Sequence, residues 1–300
     1  MLQRVFWVLA VAALLAAPAV VQAQGDYLDA YIVKVKPEKV AEFNAIAKKV
    51  VDANRRFNGD RWVAVETVYG EGNTFVFVSN RQDYAEIEKA YGAFMGALHK
   101  AYGKEAAEKI LHDWENCLAG SRSELRLRRR DLSRKPPADA AAELKFIGGS
   151  RVLRTTTVHV RPGKVAEFEA LLKELKAAGE QAANTQPALV SQVIEGSKGA
   201  TFYVSTFRNS MGGFDKNPTL RDILGEEGYK KFLQVSAESI ESSESALYRF
   251  SPELSNPREE LVAVAPEFWQ PKTGVAVAAA KAKSKSKAPA MKETTEKRKQ

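Results

Sequence analysis

The sequence predicts an α+β fold in which one strand–helix–strand–strand–helix–strand unit occurs twice in tandem, and three observations carry that prediction. Residues 33–43 read VKVKPEKVAEF and residues 158–168 read VHVRPGKVAEF, identical at eight of eleven positions. Further matches follow in the same order: GNTFVFVS (72–79) answers GATFYVST (199–206), YGKEAAEKIL (102–111) answers LGEEGYKKFL (224–233), and LRLRRRDLS (125–133) answers LYRFSPELS (247–255). Within each copy the hydrophobic period then switches between that of a strand and that of a helix at matching places.

The elements follow in order. Residues 30–36 and 152–161 alternate as strands do, and Pro37 or Pro162 stands where a helix can begin. Apolar residues then recur at helical spacing, as Val40, Phe43, Ile46, Ala47 and Val50 in one copy and Val165, Phe168, Leu171, Leu172 and Leu175 in the other. The β-rich runs 61–69 and 73–79, and likewise 188–195 and 200–207, flank glycine-containing turns and read as hairpins. A long helical region comes next, interrupted at Gly103 or Gly225, and the last strand is expected at 123–129 or 245–250. The serine-rich SAESIESSESAL (236–247) reads at helical spacing as an exposed face.

Composition assigns the ends. Residues 1–23 carry Arg4, an apolar run from Val5 to Val21 and a short-residue site at Val21-Gln22-Ala23, the layout of a signal peptide; the mature chain is expected in the periplasm or outside the cell, without a membrane span. Nine Lys/Arg and two Glu between Lys272 and Gln300 give +7 of the formal +8, and Arg4 gives the remaining charge, so residues 24–271 are neutral. A neutral body argues against a specific nucleic-acid surface, and the Lys-rich tail lacks the apolar content to fold alone. The resulting division is 1–23 signal peptide, 24–135 first repeat, 136–150 linker, 151–255 second repeat, 256–271 extension and 272–300 disordered tail. The extension, with Leu261 and Phe268-Trp269, is apolar enough to plug one end of the body or to mediate self-association. Cys117 is the sole cysteine, which excludes an intrachain disulfide. No His or Cys pairs have metal-ligand spacing, and the glycines of GEGN (70–73) and SMGGF (210–214) form turns rather than a phosphate loop.

Strand, helix, hairpin, helix, strand is the ferredoxin-like pattern, whose helices cover one sheet face and leave the other bare. Two such sheets packed face to face resemble the dimeric α/β-barrel superfamily, of the antibiotic-biosynthesis-monooxygenase or NIPSNAP-like kind, here fused in one exported chain. The resemblance spans about residues 27–255 and rests on element order and duplication, not on a catalytic signature. It implies a pocket between the sheets and, for the monooxygenase-like members, activity without metal or prosthetic group. Those members use residues such as Trp and Asn to hold an aromatic substrate; Trp62 and Trp114 are read here as core. Haem-binding members of the superfamily require a proximal histidine on the later helix of a copy, where this sequence has His112 in one copy and Gln234 in the other; no cofactor is expected.

Strand parity nominates the residues facing the enclosed space. With Val33, Val35, Val158 and Val160 against the helices, Ile32, Lys34, Lys36, Thr155, Thr157, His159 and Arg161 point inward, as do Glu124, Arg126 and Arg128 on a last strand. Glu66, Gln192, Glu195 and Tyr203 are the hairpin candidates. Lys34 and His159 occupy equivalent places and differ, which makes them the catalytic candidates; histidine's ordinary pKa of about 6.5 suits proton exchange. Lys36, Arg161, Arg126, Glu66 and Tyr203 are the ligand-binding candidates, a set suited to a small anionic or carbonyl-bearing molecule. Two alternatives stay open: these charges pair with Glu66, Glu124 or Glu195 and merely solvate strand ends, or the protein is a non-catalytic envelope component whose basic tail holds anionic surfaces.

Overall fold

The structure, a computed structural model, describes residues 27–183 and 185–270. The signal segment and the basic tail expected at 272–300 lie outside the described residues. The first half comprises β1 (Tyr27–Val35), α1 (Val40–Arg56), β2 (Val63–Tyr69), β3 (Thr74–Arg81), α2 (Tyr84–Tyr102), α3 (Lys104–Asn116) and β4 (Leu118–Arg128). After α4 (Ala140–Gly148) the order recurs as β5 (Val152–Val160), α5 (Val165–Gln181), β6 (Leu189–Glu195), β7 (Thr201–Arg208), α6 (Leu220–Ser239) and β8 (Ile240–Phe250); α7 (Glu259–Val264) and α8 (Pro266–Trp269) finish it.

Eight antiparallel strands form one closed barrel in the order β1-β3-β2-β8-β5-β7-β6-β4. Each half supplies four neighbouring strands, and the halves join at their edges rather than packing face to face as the sequence reading had it. β2 pairs β8 from Val65↔Phe250 to Tyr69↔Leu247, and β4 pairs β6 from Leu125↔Glu195 to Arg128↔Ser191. Edge joining is the arrangement that leaves no row of backbone N–H and C=O groups unpaired. At the β4–β6 junction Gly196 adopts φ +91°, and a Cβ there would overlap the Ser123 carbonyl oxygen, so this close approach requires glycine.

Helices pack on the outside. The stripe of α1, Phe43, Ile46, Ala47 and Val50, is buried against Val33 and Val35. Phe43 sits 4.5 Å from Trp114 and 4.9 Å from Phe75 between ring centroids. Trp62 is buried, with Nε1 donating to the Leu254 carbonyl at 2.7 Å, so both tryptophans stand in the first-half core. In the second half Phe168 and Leu172 of α5 cover Val158, Val160 and Phe202 in the same manner. The α2–α3 break falls at Gly103 (φ +79°) and the kink in α6 at Gly225 (φ +68°).

Three segments depart from the sequence reading. The last strands start earlier than expected, at Leu118 and Ile240, so the serine-rich stretch turns from helix to strand at Ile240. Its residues pair in register with β5, Thr157↔Glu244 and His159↔Ser242 among them, and that long-range ladder overrides the local helical spacing. The stretch read as a linker carries α4, with Asp139 capping it by accepting from the Ala142 amide at 2.8 Å. The C-terminal extension docks on one barrel end: Leu261 and Trp269 are buried with Ala30, Ile32, Val65, Val76 and Phe250. None of the described helices is long and apolar enough to cross a membrane.

Trp269 ties this end together. It is fully buried, its Nε1 donates to the Gly148 carbonyl of α4 at 2.9 Å, and its ring meets Phe250 edge-on at 5.6 Å. Truncation to alanine therefore removes apolar packing and one of the two hydrogen bonds that the Gly148 carbonyl accepts, Arg151 keeping the other at 3.0 Å. Trp269→Ala is expected to lower stability by about 3–5 kcal/mol, seen as a reduced urea midpoint with an unchanged m value; a midpoint equal to the parent's would show that the extension does not hold the barrel end.

Candidate functional site

Because the strands alternate antiparallel around a closed ring, β1 and β5 run in the same direction on opposite sides of it. Their C-terminal ends share one mouth, here the upper, and their N-terminal ends share the lower. Between the mouths lies a cavity of about 230 Å³. Its walls differ in character. β1, β2 and β3 contribute apolar side chains, including Leu28, Ile32, Val63, Val65, Val76 and Val78, whereas β5, β6 and β7 contribute Thr155, Thr157, Ser191, Tyr203 and Ser205. Phe207 and Phe250 lie toward the lower mouth, where Pro136, Pro137 and Ile147 close in.

The strand with the strongest chemistry is β4. Its alternation, Arg122-x-Glu124-x-Arg126-x-Arg128, puts every second residue on the inner face. Glu124 is 4% exposed and its carboxylate is fully engaged. Arg122 Nε donates to Oε1 at 2.9 Å, Arg126 Nε donates to Oε2 at 2.9 Å, and the Tyr203 hydroxyl donates to both oxygens at 3.0 and 2.8 Å. The Arg126 guanidinium carbon also stands 3.6 Å from the centroid of the Tyr203 ring, a cation–π contact strengthened by burial.

Titration follows this geometry. Burial works against the charged form of Glu124, but Arg126, Arg122 and the Tyr203 hydroxyl outweigh it, and the carboxyl is held below the ordinary carboxylate range. Burial raises Tyr203 above the usual phenol value, only partly offset by Arg126, so it stays a hydrogen-bond donor. Burial also raises Tyr248, an inner-face residue of β8. Glu124 is thus a fixed anion that orients three donors. With its lone pairs occupied and its proton affinity depressed, it is a poor general base.

The residues nominated by parity separate into three groups. Arg126 and Tyr203 face the lumen and meet there. Lys34 and His159 end β1 and β5 at the upper mouth, on opposite sides, and the structure does not bring them together. Lys34 forms a half-exposed ion pair with Glu71 at 2.7 Å, and His159 Nδ1 lies 3.0 Å from Thr201 Oγ1. An exposed pair of that kind contributes only about 0–1 kcal/mol, so it does not lock Lys34. Lys36 lies past the strand and donates to the Asn116 carbonyl at 2.9 Å, while Arg161 lies past β5 and is exposed. Three inward assignments are corrected. Glu66 points outward, because Val63, Val65 and Thr67 take the inner face of β2, and it pairs with Arg249 at 3.0 Å. Gln192 also points outward, accepting from Arg129 at 2.6 Å, and Glu195 is exposed past the irregular β4–β6 register.

Among the lumen residues that escaped the sequence reading, Arg122, Glu244 and Tyr248 bear on chemistry. Arg122 belongs to the β4 alternation and was legible from it. Glu244 and Tyr248 lie on β8, where the serine-rich composition masked the period of two. Both line the cavity, and Glu244 has no hydrogen-bond or ion-pair partner among the described residues.

No protein-family model matches the chain, and no curated protein matches it. Solved structures do. An anthrone oxidase-like protein aligns over 77% of this chain and 93% of its own, at 14% identity and a TM-score of 0.51. A candidate monooxygenase from Lactobacillus acidophilus NCFM (9% identity, 75% and 94% coverage, TM-score 0.44) and chlorite dismutase from Candidatus Nitrospira defluvii (10% identity, 83% and 97% coverage, TM-score 0.44) are also similar. The chain shares with the anthrone oxidase-like protein a ferredoxin-like α+β-barrel fold.

Proposed function

We propose that the lumen binds a small amphipathic molecule bearing a carbonyl or anionic group. The observation that carries this reading is the Glu124 cluster: one buried carboxylate orients two guanidiniums and a phenol, and it engages only part of each arginine's five N–H donors. Both arginines line a cavity that also has an apolar wall on β1, β2 and β3. A carbonyl or carboxylate on Arg122 and Arg126 with its body on Ile32, Val65 and Val76 satisfies both walls. The volume of about 230 Å³ falls under the range of about 300–1,000 Å³ typical of drug-sized ligands, which points to a compact molecule. If chemistry follows binding, Glu244 is the carboxylate positioned to accept a proton, with Arg122 and Arg126 stabilising negative charge left on the ligand. In this reading the two halves descend from one duplicated unit, and the chain works outside the cytoplasm after losing residues 1–23.

One similar structure is that of a heme-binding protein from Thermus thermophilus. The residues of this chain do not fit that group. His112 on α3 and Gln234 on α6, at the places where a proximal ligand would be required, are both exposed, and neither lines the lumen. No step is assigned to haem.

Native mass spectrometry of the chain purified from its own host is expected to show one small carbonyl or carboxylate compound retained. Thr157→Trp, which fills the lumen, should abolish retention, and Arg126→Gln should weaken it about 10-fold or more, or about 1.4 kcal/mol; equal retention by all three proteins would refute the lumen site. The same preparation tests export, since a polypeptide beginning at Gln24 is expected by intact mass and one retaining residues 1–23 would count against it.

The Glu124 cluster also predicts a pH dependence. A carboxyl whose folded pKa is depressed contributes stability that is present above its ordinary value of 4.5 and is lost as pH falls through the folded value. Urea midpoints of the parent should therefore drop on acidification below 4.5 more steeply than those of Glu124→Gln, while at neutral pH the variant should be weaker, since breaking one side of a buried pair costs about 3–5 kcal/mol. Parallel acid slopes would show that Glu124 is not held ionised.

A further inference from the structure

A larger cavity, about 560 Å³, lies outside the lower mouth, between the lower ends of β2, β3 and β4 on one side and α4 and the start of α7 on the other. Its size falls within the usual range of about 300–1,000 Å³ for small-molecule sites. Trp62, Val78, Leu144, Ile147 and Leu261 give it an apolar floor.

The arginines around that floor differ in how well they are compensated. Arg81 meets Asp29 at 3.1 Å and Asp60 at 2.7 Å. Arg128 and Arg130 share Glu143, which is 5% exposed, at 2.6 and 3.1 Å. Arg61 instead donates to two neutral oxygens through long contacts, Asn256 Oδ1 at 3.3 Å and the Pro257 carbonyl at 3.4 Å. Arg258 stands 3.8 Å from Glu86, past hydrogen-bonding reach. Beside the apolar floor Arg61 thus has no carboxylate partner, and Arg258 has only a long, partly exposed ion pair.

We propose that this outer cleft is a second ligand site, one that takes a monoanion with an apolar body, an alkyl or aryl carboxylate. Its carboxylate meets Arg61 and Arg258 in the charge-assisted geometry that guanidinium favours, and its body lies on Trp62, Leu144 and Leu261. Arg81, Arg128 and Arg130 are already engaged by Asp29, Asp60 and Glu143, so only Arg61 and Arg258 remain for a ligand, which suits a single carboxylate. Val78, Arg128, Glu143 and Ile147 line both this cleft and the lumen. The two sites are therefore neighbours with shared lining, and the outer one does not depend on the lumen binding anything.

Calorimetric titration of the full chain with octanoate, 1-octanol and inorganic triphosphate tests the assignment. Octanoate is expected to bind, with 1-octanol and triphosphate at least about 10-fold weaker. The double variant Arg61→Gln/Arg258→Gln should lose about 10-fold or more in octanoate affinity. So should Ala140→Trp, which fills the cleft from an exposed position at its rim and leaves the arginines in place. The lumen-filling Thr157→Trp should keep the part of octanoate binding that the two cleft variants lose, whatever further binding the lumen contributes. Octanoate binding unchanged in both cleft variants would overturn the proposal, whether the anion then sits on the basic tail or elsewhere. Loss of octanoate binding in Thr157→Trp alone would move the anion to the lumen, refuting the cleft while supporting the lumen reading. Equal affinity for 1-octanol would remove the role of the two arginines.

Discussion

Satisfaction of the sheet edges is the constraint on which the rest depends. A four-stranded unit of this type ends in two strands with unpaired backbone groups, and each half of the chain brings two such edges. Pairing β2 with β8 and β4 with β6 removes all four at once and leaves no edge in the ring. Once the ring closes, its outer face is available to the helices and its inner face encloses a space. Register shifts fall between Lys34 and Val35 and between His159 and Val160, the same place in both halves, and such irregularities bend strands as a barrel requires.

Closure then forces alternate residues of every strand into a low-dielectric space. On β1, β2 and β3 those residues are mostly aliphatic, with Thr67, Thr74 and Asn80 among them, and supply ordinary burial energy. On β4 they are Glu124, Arg126 and Arg128, and isolated charges there would each cost several kcal/mol, whereas Arg122, at the upper end of the row, is half-exposed. The structure offsets the cost by sharing: Glu124 serves two arginines and Tyr203, and Glu143, brought in by α4, serves Arg128 and Arg130. A hydrophobic strand of equal volume would be at least as stable. The charged row is therefore better explained by what it presents to the lumen than by what it adds to stability.

Much of this was legible in the sequence where one face of an element is plainly apolar. Val33 and Val35, or Val158 and Val160, fix strand parity and so place Thr155, Thr157 and the inner row of β4. Parity failed for Glu66 because VAVETVY has small or apolar residues on both faces, with Ala64 and Val65 both buried, leaving no alternation to read. It failed for β8 because ESSES contains no large apolar residue before Ala246, and only pairing with β5 defines that strand. The roles of α4 and the C-terminal helices were illegible for a different reason. The hydrogen bond from Trp269 to Gly148 spans 121 residues, and nothing local encodes it.

The two halves differ most in what they place at the mouths. At the upper mouth Lys34 has Glu71 and His159 has Thr201, each partner local to its own half. At the lower mouth α4, α7 and α8 have no counterpart elsewhere in the described residues, and they pack on Ile32, Val65, Val76 and Phe250. A symmetric ring of two like halves would be open at both ends. The added segments seal one end with Ile147, Pro136 and Pro137 and, on the far side of that seal, create the outer cleft. The closed end gives the lumen a floor below the level of Arg126 and Tyr203. Sealing the barrel and forming the cleft are consequences of the same packing, with Glu143 contributing to both walls. Substitutions at Glu143 should therefore perturb both cavities together, whereas those at Arg61 or Tyr203 act on one.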